Sequence, residues 1–150
     1  MKFLIINGPN INMLGIREPA IYGKTDYAAL LAMIASHAEQ IGVTAECYQS
    51  NSEGALIDRL QQAYFEGVDG IVFNPGGYTH TSIALLDAVK SIMIPTVEVH
   101  ISDLSEREDF RQVSYIRAVC VSSVIGEGPA GYLHAMDFLK TYISERRDDA

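Results

Sequence analysis

Val97-Glu98-Val99-His100 sets a carboxylate two residues before an imidazole. On a strand, a period of two puts Glu98 and His100 on one face and the two valines on the other. A carboxylate that orients and charges an imidazole is a proton-transfer device. A buried salt bridge kept for packing specificity is the competing reading. Just beyond, Arg107 and Arg111 are four residues apart. On a helix they share a face and can clamp a carboxylate, although with Glu106, Glu108 and Asp109 around them they equally describe a solvated charged surface.

Two further segments carry reactive groups. Asn74-Pro75-Gly76-Gly77-Tyr78-Thr79-His80-Thr81-Ser82 combines glycines that permit close backbone approach with an amide and an imidazole. Capping of the next helix by Thr79 or Thr81 accounts for the hydroxyl residues but not for Asn74 and His80. Gly8-Pro9-Asn10 opens a connection of about eighteen residues that also holds Arg17 and Tyr22. Its length suits a lid or binding loop, or else a surface excursion on which Tyr22 packs down.

The elements that position these groups alternate along the chain. Leu4 to Asn7 reads as a strand. Asp26 caps a helix running to about Gln40, with Leu30, Leu31 and Ile34 on one side and Gly42 as its stop. Val43 to Gln49 is a second strand, and Ser52 to Glu66 a second helix with Leu56, Ile57, Leu60 and Tyr64 at helical spacing. Gly70 to Phe73 is a third strand, Thr79 to Lys90 a helix, Pro95 to Val99 a fourth strand and Val119 to Ile125 a fifth. Gly131 to Glu145 is the last helix, followed by a frayed tail. Strands separated by helices require parallel pairing, so the expected fold is a doubly wound α/β sheet of five strands in a single domain, residues 1–150. Ligands of such sheets bind beyond the carboxyl ends of the strands, where Asn74, His80 and His100 fall.

The 150 residues are 48% apolar and 20% charged, which suits a globular core rather than disorder. With 11 Lys and Arg against 19 Asp and Glu, the net charge is −8, which disfavours nucleic acid and anionic membrane surfaces as partners. No apolar run approaches the length of a membrane span or a signal-peptide core, so a cytoplasmic protein is expected. Cys47 and Cys120 suit two buried thiols in a reducing compartment. Gly126-Glu127-Gly128-Pro129-Ala130-Gly131 matches the dinucleotide pattern GxGxxG, but only 19 residues follow it, too few for the βαβ unit the pattern needs. A nucleotide- or flavin-carrying module therefore has weak support. His37 and His134 fall within helices and no metal-binding spacing occurs, so no metal or cofactor is expected.

Gly8-Pro9-Asn10-Ile11-Asn12-Met13-Leu14-Gly15, Arg17-Glu18-Pro19, Tyr22-Gly23, the Asn74–Ser82 segment and Glu98-Val99-His100-Ile101-Ser102 together closely resemble the type II 3-dehydroquinate dehydratases. The likeness continues through Gln49-Ser50-Asn51-Ser52-Glu53-Gly54 and Gly131-Tyr132, covering nearly the whole chain. Ile11 and Met13 stand where that family usually has leucines, and Gly77 where alanine is common. The resemblance implies a flavodoxin-like fold of strand order 2-1-3-4-5 and cofactor-free dehydration of 3-dehydroquinate to 3-dehydroshikimate in the shikimate pathway. It implies Tyr22 as the base at C2, Arg17 as the group that holds and activates it, and His100, supported by Glu98, as the acid at the C1 hydroxyl. Asn10 is then expected to place a water that stabilises the enolate, while Asn74 and His80 grip substrate hydroxyls. The Ile101 backbone and Ser102 take the carboxylate, Arg111 binds substrate, Arg107 closes with the lid, and Asp87 reaches a neighbouring subunit of a homododecamer. In the implied order strands two and five are opposite edges, so Cys47 and Cys120 are not expected to pair within a chain.

The implied chemistry is physically reasonable. A phenol of pKa about 10 is only about 0.1% ionised at pH 7, so Tyr22 needs a neighbouring cation such as Arg17 to serve as a base. An enolate needs a placed hydrogen-bond donor, and hydroxide must be protonated as it leaves.

Overall fold

The computed structural model describes residues 1–16, 20 and 24–150. Arg17 and Tyr22 lie outside the described residues. Five parallel strands are present among them: β1 (Lys2–Asn7), β2 (Thr44–Gln49), β3 (Gly70–Asn74), β4 (Thr96–His100) and β5 (Ser122–Ile125). Their order is β2-β1-β3-β4-β5, the doubly wound arrangement expected. Among the described residues, α1 (Tyr27–Ile41), α2 (Glu53–Phe65) and α3 (Ile83–Ile92) connect β1 through β4, short 3₁₀ turns lead from β4 to β5, and α4 (Ala130–Asp148) follows β5. None is long and apolar enough to cross a membrane.

The period of two along the central strands makes two separate cores. Phe3, Ile5, Val72, Val97 and Val99 pack against Leu30 and Ile34 of α1 and Met136 and Leu139 of α4. Leu4, Ile6, Ile71 and Phe73 pack on the other face against Leu56 and Leu60 of α2 and Leu85 and Val89 of α3. The inner strands β1 and β3 are thus apolar on both faces, as a covered parallel sheet requires, whereas β4 is apolar only through Val97 and Val99 and turns Thr96, Glu98 and His100 to the other layer. Polar residues within them are therefore conspicuous. The edge strands β2 and β5 are only partly buried.

Helix ends largely follow the local chemistry. Asp26 accepts the Ala29 N–H at the start of α1, and Gly42 ends it in the left-handed region at φ 72°. Ser52 accepts the Ala55 N–H at the start of α2. The start of α3 differs from expectation: its cap is Ser82, which accepts the Leu85 N–H, rather than Thr79 or Thr81. Gly76–His80 instead forms a 3₁₀ turn, in which the buried Thr79 hydroxyl donates to the Gly76 carbonyl at 2.6 Å. The final helix also runs on through the tail expected to fray, as far as Asp148. Arg147 pairs there with Asp69, which anchors the last turns to the rest of the fold, and Arg146 lies over the Tyr142 ring one turn earlier in the same helix. Cys47 and Cys120 are both free and belong to opposite cores. Burial pushes the thiols up to about 11 and about 12, so both stay protonated.

Candidate active site

Beyond the carboxyl ends of β1, β3 and β4 lies a cleft of about 130 Å³ lined by Asn10, Ile11, Asn74, Gly76, Gly77, Ile101, Ser102, Leu104, Arg107 and Arg111. Two backbone contacts build its floor. The Gly8 N–H donates to the Asn74 carbonyl at 2.8 Å, and a Cβ at Gly8 would lie 2.3 Å from the Pro75 oxygen. The turns after β1 and β3 therefore approach more closely than any side chain allows.

Asn10 takes a left-handed conformation, φ 69°, one of two such non-glycine residues among those described. Its N–H donates to Asn51 Oδ1 at 3.1 Å. The Gln49 amide donates to that same oxygen and to the Gly8 carbonyl. The segment after β2 thus holds the Asn10 turn, a role that spacing alone did not reveal.

Glu98 and His100 face the α2–α3 layer, while Val97 and Val99 pack in the other core, as the strand period requires. Glu98 is fully buried and His100 only 5% exposed. His100 Nε2 lies 2.5 Å from Glu98 Oε1. Glu98 has two further partners that no local pattern announced. The Ser114 hydroxyl donates to it at 2.7 Å, and Arg117 grips both oxygens at 3.1 and 3.2 Å. Burial alone would raise the Glu98 carboxyl, but the hydrogen bonds and charge of His100, with Arg117 and Ser114, outweigh it and hold it at about 2. An ionised carboxylate only accepts, so Nε2 of His100 carries hydrogen and Nδ1 is the nitrogen left to exchange a proton.

The His80 ring lies 2.7 Å from the Val113 carbonyl through Nδ1, which must therefore donate. Partial burial lowers its pKa and the nearby charges of His100 and Arg111 add to this, against the opposing effects of Val113 and Glu98. His80 is then neutral at pH 7, with Nε2 as an acceptor.

Arg107 and Arg111 do not share a helix. Leu104–Glu106 and Asp109–Arg111 are separate 3₁₀ turns, yet both arginines reach the cleft. Glu108 accepts from Arg111 Nε at 2.7 Å and lies 3.7 Å from Arg107 Nε. Arg107 Nη1 also donates to the buried Ser102 hydroxyl at 3.3 Å. Asp87 is not brought to this cleft: it lies on the exposed face of α3. The glycines of the GxGxxG stretch brace the site from behind, since the Gly126 and Gly128 N–H groups donate to the carbonyls of His100 and Ile101.

These features define a doubly wound, flavodoxin-like protein with a buried carboxylate–imidazole pair and two arginines at the carboxyl edge of its sheet. The chain belongs to the class II dehydroquinase family, whose family model matches residues 1–140. A 3-dehydroquinate dehydratase of Lachnospira eligens is 54% identical over 138 residues, which cover 91% of this chain and 94% of that protein. The crystal structure of the type II dehydroquinase from Butyrivibrio crossotus superposes with a TM-score of 0.92 at 52% identity, covering 93% of this chain and 97% of the other. The Propionibacterium acnes type II dehydroquinase gives a TM-score of 0.89 at 36% identity, covering 93% and 96%.

Proposed function

We propose that this protein is a 3-dehydroquinate dehydratase, a hydro-lyase of the shikimate pathway that works without metal or cofactor. The observation that carries this reading is the buried, charge-balanced Glu98–His100 pair at a strand exit beside a cleft lined by Arg107 and Arg111. In the proposed reaction Tyr22, activated by Arg17, removes the C2 proton of 3-dehydroquinate and leaves an enolate. Asn10 places the water that donates to the enolate oxygen. His100 then gives its proton to the C1 hydroxyl, which departs as water on the opposite face as the enolate collapses to the conjugated enone. Tyr22 has gained one proton and His100 has lost one, and exchange with solvent restores both.

Asn74 and His80 bind substrate hydroxyls in this reading. The Ile101 backbone, the Ser102 hydroxyl and Arg111 take the carboxylate, and Arg107 follows it on closure. Three of the 11 basic residues, Arg17, Arg107 and Arg111, are assigned to this one site, Arg17 beside Tyr22 and the other two toward the substrate carboxylate, so positive charge is gathered there within a chain of net charge −8. The exposed position of Asp87 on α3 supports its serving a neighbour's site within a homododecamer, in the cytoplasm.

The test is the ultraviolet absorbance of the conjugated enone on addition of 3-dehydroquinate, with a metal chelator and imine-trapping borohydride as controls. Activity is expected to survive both. Tyr22→Phe is expected to lose at least about a thousandfold in turnover while still binding substrate. Near-normal turnover in that variant rules out Tyr22 as the base.

A further inference from the structure

Asn7 and Asn74 are partners in register at the ends of β1 and β3, with side chains on the α1–α4 side of the sheet. Both are buried, and beneath them lies the ring of Tyr132, fully buried in the first turn of α4. The Tyr132 oxygen is 2.6 Å from Asn7 Oδ1 and 2.9 Å from Asn74 Nδ2. Asn74 Oδ1 accepts the Gly76 N–H at 3.1 Å.

With Asn7 Oδ1 facing the phenol, these contacts permit one assignment of hydrogens. A backbone amide can only donate, so the Asn74 atom facing Gly76 must be oxygen. The atom facing Tyr132 is then nitrogen, which donates. The phenol must accept from it and spend its single proton on Asn7 Oδ1. Burial pushes the Tyr132 phenol well above its ordinary pKa, so that proton is always present. Rotating the Asn74 amide by half a turn would set N–H against N–H at Gly76. Asn74 is thereby left with one N–H and one oxygen lone pair for whatever occupies the cleft it lines. The arrangement carries a penalty, because Asn7 Nδ2 is buried without a partner.

We propose that Tyr132 is a positioning residue for specificity: through its hydroxyl it fixes the direction of the Asn74 amide, and so the donor and acceptor pattern offered to a hydroxyl of a polyhydroxylated ring acid. This rests on Asn74 binding substrate, as in the function proposed above.

Steady-state kinetics and thermal unfolding of Tyr132→Phe, Asn74→Ala and their double variant test it. Tyr132→Phe is expected to raise KM about five- to tenfold with kcat within about threefold, and the double variant to be no worse than Asn74→Ala alone. Asn7→Ala removes the acceptor that directs the phenol proton, and is expected to raise KM in the same direction; it decides the matter if Tyr132→Phe fails to fold. A lowered Tm in Tyr132→Phe at wild-type KM, or KM effects that simply multiply in the double variant, overturns the role of Tyr132 alone. A wild-type KM in Asn74→Ala overturns substrate binding by Asn74, and with it this inference.

Discussion

At the carboxyl edge of the sheet, β3 and β4 send polar groups into opposite apolar layers, and the two layers satisfy them differently. On the α1–α4 side, Asn74, Tyr132 and Asn7 form a neutral chain whose hydrogens have one arrangement. On the α2–α3 side, Glu98, His100, Ser114 and Arg117 form a charged cluster in which one imidazole nitrogen stays free to exchange a proton. A neutral network with a single hydrogen arrangement orients a ligand, because no member changes state in use. A charged network suits proton transfer, because the Glu98 carboxylate is already compensated by Arg117 and tolerates either state of His100. In the proposed reaction, crossing the sheet from β3 to β4 separates recognition from chemistry over one strand spacing.

The largest effect should come from the charged side. Glu98→Gln keeps the shape but removes the charge beside His100 that the proposed acid step relies on, and is expected to lower kcat by about a hundredfold or more. Tyr132→Phe should act mainly on KM. Comparing kcat and KM for the two variants checks the division directly: a Glu98→Gln enzyme altered only in KM would show that the two networks share one role.

Acid separates the networks by stability. The Glu98 carboxyl is held at about 2 against an ordinary 4.5. A depressed carboxylate stabilises the fold above its unfolded pKa, and this contribution fades as pH falls through 4.5 towards about 2. That gap corresponds to about 3 kcal/mol at full strength. Denaturant unfolding between pH 7 and pH 3 should therefore show a shallower loss of stability for Glu98→Gln than for the parent chain. Tyr132→Phe should keep the parent's slope and differ by a constant offset, since nothing in its network titrates in that range. Parallel slopes for Glu98→Gln and the parent chain would remove Glu98 from the acid transition.

The charged side was more legible in the sequence than the neutral one, for a physical reason. Glu98 and His100 announce themselves because the strand period puts two costly groups on one face of a strand that should be apolar. Asn7 and Asn74 end their strands, where amides also serve as ordinary turn residues, and Tyr132 looks like any aromatic of a buried helix face. The pairing of these three depends on strand register and the docking of α4, which are tertiary facts. The same applies to Ser114 and Arg117, which reach Glu98 from 16 and 19 residues downstream. The alternation of strands and helices, the Asp26 cap and the Gly42 stop were readable because they are local. The start of α3 was not, because a 3₁₀ turn after β3 uses Thr79 internally and passes the cap to Ser82. Arg107 and Arg111 converge through two short turns, where their spacing left a shared helix face and a solvated charged surface equally open.

The smallest expected effects test what holds the neutral network in place, namely the Gly76 N–H. Gly76 has φ +60°, and a Cβ there would lie 2.9 Å from the Pro9 carbonyl oxygen, a backbone atom that cannot swing aside. Gly77 has an ordinary φ and open space around its missing Cβ, in keeping with the alanine common at this position in the family it resembles. Gly76→Ala should therefore cost about 1–2 kcal/mol in unfolding free energy and, by displacing the donor that orients Asn74, raise KM as well. Gly77→Ala should remain within about 0.5 kcal/mol of the parent with KM unchanged. Equal effects at the two positions would mean that loop stiffness in general, rather than the one amide that fixes Asn74, sets the orientation of the neutral network.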